Sequence, residues 1–238
     1  MNNLATILAE QGKFGEAEAL YREAFGGYLA TLGSQHPNTL SCMGNLGLFL
    51  KEQGKLGEAE PLLRNVLEAM RATLGPEHPN TLESMSCLGS LLQDQGKLGE
   101  AEPLLRETLE ARRSILGSQH PRTFMSMSNF ALLLMDQGKL GEAESLLCEA
   151  LAAQRATLGS MHPNTLTGVS NLGCLLEKQG KLGEAEALLR EALVGFCSSL
   201  GRSHPSTQGV LAALVRVLAA QGKAREAREL RAQYGGGK

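Results

Sequence analysis

Residues 33–74 read GSQHPNTLSCMGNLGLFLKEQGKLGEAEPLLRNVLEAMRATL, and residues 75–116 match them at 27 of 42 positions. Gln-Gly-Lys occurs six times, at Gln11, Gln53, Gln95, Gln137, Gln179 and Gln221. His-Pro occurs five times, at His36, His78, His120, His162 and His204. Both markers advance by 42 residues with no insertion, the mark of a repeat array. The array starts with a partial unit, 1–32, and continues through 33–74, 75–116, 117–158 and 159–200 to a last unit, 201–234. Residues 1–234 are therefore expected to form one array, with Gly235–Lys238 a flexible tail.

Each unit predicts two helices. Pro37 suits a first helical turn, where its missing N–H has no partner to lose. Leu40, Met43, Leu46, Gly47 and Leu50 then recur at steps of three and four, the spacing of a buried helical face. Gly54 is expected to end that helix in a left-handed conformation. The second helix starts near Glu58 and Glu60, acidic residues suited to the positive end of the helix dipole. Ala59, Leu63, Val66, Leu67, Met70 and Leu74 make its apolar stripe. Pro61 and Pro103 are expected in or just after the first turn, since Pro breaks a helix deeper in. Neither helix can bury its stripe alone, so the units must stack. The predicted fold class is all-α, a right-handed α-solenoid of antiparallel helix pairs. In the last helix Arg225, Glu226, Arg228, Glu229 and Arg231 leave only Ala227, Leu230 and Tyr234 apolar, as a capping helix requires.

Composition narrows the function. The chain has 238 residues, 42% hydrophobic and 20% charged, too apolar for a disordered protein. Its net charge of −2 argues against nucleic acid or an anionic membrane as the main partner. No secretory signal and no membrane-spanning stretch is read from it. The five cysteines, Cys42, Cys87, Cys148, Cys174 and Cys197, occupy different repeat positions and lack zinc spacing, as expected of reduced thiols in a cytoplasmic protein.

Catalytic chemistry finds no residues. The histidines all lie in His-Pro, stacked roughly 10 Å apart as packed helices are, too far to share a metal. None is left over as a general base. Glu58 and Glu60 lie two residues apart on a helix and face apart. Of the 28 glycines, 19 recur with the repeat as caps and close-packing positions, and none forms a phosphate loop. The expectation is a non-enzyme without cofactor or metal.

The small residues Gly47 and Ala59 around a turn at Gly54 resemble the tetratricopeptide repeat. The longer unit, with HPNTL, NLG and QGKLGEAEPLLR, resembles the 42-residue repeats of kinesin light chains and nephrocystin-3-like proteins. The family's Trp is absent; Met1, Met43, Met85, Met127, Val169 and Leu211 stand in its place and suggest a more plastic core. The resemblance implies that the first helices line a concave groove. It implies too that Asn3, Asn45, Asn129 and Asn171, each one residue before an apolar position, grip the backbone of an extended peptide. Cys87 and Ala213 interrupt that series. Helical spacing adds Ser86, Ser90, Met125, Ser128, Met135, Thr167 and Ser170 to the groove. Lys51 and Lys178 join Glu10, Glu52, Asp94, Asp136 and Glu177 at its rim.

With no cationic cluster on that face, the expected ligand is neutral or weakly basic with apolar anchors. The expected function is a protein-protein interaction scaffold, a kinesin-light-chain-like adaptor. The alternative is the sensor or assembly portion of a larger signalling protein whose effector domain lies elsewhere. The expected state is a monomer, with weak end-to-end association through the uncovered first helix.

Overall fold

The computed structural model describes residues 2–234. Among them are twelve helices and no strand: α1 (Asn2–Glu10), α2 (Phe14–Leu32), α3 (Pro37–Glu52), α4 (Leu56–Leu74), α5 (Pro79–Asp94), α6 (Leu98–Leu116), α7 (Pro121–Asp136), α8 (Leu140–Leu158), α9 (Pro163–Lys178), α10 (Leu182–Leu200), α11 (Pro205–Ala220) and α12 (Ala224–Tyr234). The fold class is the expected one, helix pairs in succession. Met1 and the tail Gly235–Lys238 lie outside the described residues. The chain falls into two compact units, Met1–Ala111 and Arg112–Lys238, and the division lies inside α6 rather than at a repeat boundary.

Local chemistry sets each helix end. His36, His78, His120, His162 and His204 cap their helices: each Nδ1 accepts the N–H two residues on, at 3.1–3.2 Å. Pro follows each of them at the first helical position, so the five histidines are accounted for as helix starts. The turn after each first helix uses a glycine at positive φ, such as Gly54 at 73°, where any side chain would be strained. The second helices begin earlier than expected, at Leu56 and its equivalents, so Pro61 sits in the second turn of α4. Its missing N–H faces the carbonyl of Gly57, which is exposed, so solvent can take the bond.

Close packing joins the two helices of a pair. A Cβ placed at Gly89 on α5 would lie 2.7 Å from Leu105 Cδ2 on α6. Met43, Met85, Met127, Val169 and Leu211 are buried, as expected for core residues in the family's Trp position. The first pair differs: Leu4 is 51% exposed, whereas its equivalents Leu46, Leu88, Phe130, Leu172 and Leu214 are buried. The later first helices α3, α9 and α11 each pack against the helix before them as well as on their own partner.

The second helices are laced together by charges. In unit 1, Arg22 on α2 meets Glu58 on α4, and Arg64 on α4 meets Glu100 on α6, both at 2.6 Å. Lys55 reaches back to Glu18, and Lys97 to Glu60. Glu60 also accepts hydrogen bonds from Arg64 and Gln95 Nε2. Lys97, then Arg64 and Gln95, hold the Glu60 carboxyl far below its ordinary 4.5, at about 2. Unit 2 repeats the device, with Lys181 on Glu144 and Lys223 on Glu186. Another clasp joins Arg71 to Glu107, Arg113 to Glu149 and Arg155 to Glu191.

Candidate functional site

The first helices present the other face. In unit 1, Asn45 on α3 is half-buried and Asn3 on α1 is exposed; in unit 2, Asn129 on α7 and Asn171 on α9 are half-buried. Among the described residues, the side-chain amides of Asn45 and Asn171 make no hydrogen bond within the protein, whereas Asn129 is engaged. Cys87 and Ala213, which interrupt the series, are half-buried and buried.

The cations on this face are already committed. Lys51 Nζ donates to Ser90 Oγ at 2.7 Å and pairs with Asp94 at 3.3 Å. Lys178 pairs with Asp136 at 3.3 Å, and Arg216 on α11 pairs with Glu177 at 3.0 Å. Lys51, Ser90 and Lys178, which sequence spacing set beside the asparagines, are tied to neighbouring first helices. Ser86 and Met135, placed in the groove by helical spacing, are buried, at 7% and 6% exposed. Met125 remains open, at 50%.

Sequence reading missed the apolar part of the site. An open cleft of about 350 Å³ lies between α1 and α3. Asn45, Thr6, Glu10 and Glu52 line it together with the exposed side chains of Phe14 and Leu48. Phe14 stands in KFG where the next four units have KLG, and Leu48 occupies a position that varies from unit to unit as Thr6, Ser90, Leu132, Cys174 and Arg216. Phe14 was the available signal. Among the described residues, Glu10 and Glu52 form no ion pair. The cleft therefore sets exposed apolar side chains beside two carboxylates.

Other chemistry has no geometry to support it. Among the described residues, no three His, Cys, Asp or Glu side chains are placed to hold a metal. All five cysteines are free thiols. Burial raises the thiol pKa of Cys42, Cys148, Cys174 and Cys197, which keeps them protonated and poorly nucleophilic. No described helix is long and apolar enough to cross a membrane.

Comparison with known proteins agrees with the fold. A tetratricopeptide repeat family model matches residues 1–63, 43–114, 83–156 and 122–198, and a second tetratricopeptide repeat model matches 208–233. No curated protein sequence matches the chain. Among solved structures, it is similar to a candidate kinesin light chain from Podosopora anserina with nearly identical TPR-like repeats. Identity is 29% and the TM-score 0.72, over 83% of this chain and 93% of that one. Two further structures share the fold. BtubC (BKLC) from P. vanneervenii has 18% identity and a TM-score of 0.71, over 94% of this chain and 93% of that chain. PilW, a type IV pilus biogenesis factor, has 18% identity and a TM-score of 0.67, over 98% of this chain and 89% of that chain.

Proposed function

We propose that this chain, which belongs to the tetratricopeptide repeat family, is a non-catalytic scaffold that holds an extended peptide against its first helices. Families of this repeat are interaction scaffolds, and the likeness to kinesin-light-chain repeats supports that coarse function here. The finer reading, a cytoplasmic adaptor that grips a peptide backbone, rests chiefly on one observation. Asn45 in unit 1 and Asn171 in unit 2 keep half-buried amides without protein partners, on first helices where Lys51, Lys178 and Arg216 are paired with carboxylates. An amide supplies both a donor and an acceptor, which is what an extended backbone requires and which does not depend on the peptide's side chains. Glu10 and Glu52 beside the α1–α3 cleft favour a neutral or basic segment with an apolar anchor over an acidic one.

A peptide-display selection against the whole chain, repeated with Asn45→Ala/Asn171→Ala, tests this. Enrichment of a common motif by the natural chain, lost in the variant, is the expected result. Enrichment that survives in the variant removes the asparagines from the binding role.

A further inference from the structure

The clasp between second helices is interrupted. Arg71, Arg113 and Arg155 each cross to a glutamate 36 residues on. One repeat earlier, between α2 and α4, the same two places hold Leu29 and Asn65. At the α10–α12 end they hold Cys197 and Gln233, but there Arg202 covers the junction. It donates to the Gln233 carbonyl at 3.0 Å and lies over the Tyr234 ring. At α2–α4 a cleft of about 490 Å³ stays open.

That cleft has an ordered chemistry. Its floor is Phe25, Leu40, Met43 and Ala69, part of one core cluster, and Leu29 stands 42% exposed at its edge. Asn65 and Glu68 rise from α4, and among the described residues Glu68 forms no ion pair. Thr39 lines the cleft with its side chain fully buried, and its Oγ1 has no hydrogen-bond partner. The equivalent Thr81 Oγ1 donates to the Gly75 carbonyl at 2.7 Å; Thr165 alone among the equivalents shares the unpartnered state.

The neighbouring junction shows what fits such a place. Arg71 sends its guanidinium to Glu107 and to the sulfur of Met85, the counterpart of Met43, at 3.6 Å. An arginine offers an aliphatic stem for an apolar floor and a planar fork of donors for Glu68, the Asn65 carbonyl and Thr39 Oγ1. We propose that the α2–α4 cleft is a docking site for an arginine side chain presented by a partner polypeptide, replacing in trans the arginine that this junction lacks. The site lies between α2, α3 and α4, at the start of α3, and does not depend on the reading of Asn45 and Asn171.

The probe is the blocked tripeptide acetyl-Ala-Arg-Ala-amide, titrated against the whole chain while the Met43 methyl resonance is followed by NMR and assigned with Met43→Leu. A saturable shift is expected. The citrulline analogue, which keeps the shape and loses the charge, should bind roughly tenfold more weakly, the worth of one charge-assisted hydrogen bond. Glu68→Gln should bring the two peptides to equal affinity. Leu29→Arg/Asn65→Glu installs the clasp found at the other junctions, so it should fold and abolish the shift. No saturable shift, equal binding of the citrulline peptide to the natural chain, tighter binding of a leucine analogue, or a shift that survives Leu29→Arg/Asn65→Glu each overturns the proposal.

Discussion

In unit 1 the seam of second helices and the face of first helices have the same repeat, yet they use polar residues in opposite ways. Along the seam, Glu18, Arg22, Glu58, Glu60, Arg64, Lys97 and Glu100 close on one another, and Glu60 alone engages three partners. On the face, Lys51 is tied to Ser90 and Asp94, but Asn45, Glu10 and Glu52 are left open to solvent. A fixed period lets one side set how units meet while the other varies. Charges that recur with the repeat meet their partners 36 or 37 residues away at each junction, so the seam specifies register. Phe14, which breaks the KLG pattern, and Leu48, at a position that varies between units, both line the α1–α3 cleft.

The largest effect should come from what both sides share, the contact within a pair. Gly89→Leu places a side chain where even a Cβ meets Leu105 at 2.7 Å. Ala131 at the equivalent position of α7 shows that a methyl is accommodated, but a branched chain must displace α6. Destabilisation by about 3 kcal/mol is expected from this overpacking, read as a lowered midpoint in urea. A loss below about 0.5 kcal/mol, within the range of ordinary surface changes, would mean that the pair is more loosely packed than its geometry shows.

A smaller effect should follow from opening the seam. Glu60→Gln removes the charge that holds Arg64 and Lys97. It should destabilise the chain by about 1 kcal/mol, because solvent screens such partly exposed pairs. The two cations are 40% and 42% exposed. The acid dependence has a definite sign. The Glu60 pKa is lowered on folding, from 4.5 to about 2. Its stabilisation is therefore complete above the ordinary value and is lost as pH falls toward the folded one. Glu18, lowered by Lys55 and Arg22, titrates in the same direction. Unfolding of natural and Glu60→Gln chains, followed by circular dichroism between those pH limits, should converge as pH drops. A gap that persisted at the acid limit would assign the effect to packing rather than charge.

These contrasts also show how far the sequence could be read. The period, the helix pairs, the glycine turns and the capping α12 were legible because each depends on residues close in the chain. Ala227 is buried with Leu230 and Tyr234 half-buried, as the pattern of α12 implied. The site was legible only in outline. Helical spacing placed Ser86 on the face, but it is buried, and periodicity alone does not tell how far neighbouring helices cover a position. It placed Lys51 and Lys178 there without revealing that their partners, Asp94 and Asp136, come from neighbouring first helices. The open cleft at Leu29 and Asn65 is a departure from the Arg–Glu pattern. It becomes visible only once Arg71 and Glu107 are seen to touch.

The smallest expected effect sharpens the comparison most. Asn45→Ala/Asn171→Ala should leave stability unchanged to within about 0.5 kcal/mol, as for surface changes that leave no group unsatisfied. Neither amide holds a protein partner. At the seam, removal of one carboxylate unsettles three donors; on the face, removal of two amides unsettles none. Residues retained without a stabilising contact are free to be used for a ligand, so an unchanged urea midpoint combined with lost peptide enrichment would separate recognition from architecture. A substantial loss of stability would instead place Asn45 and Asn171 in the framework and make the two sides of the array alike.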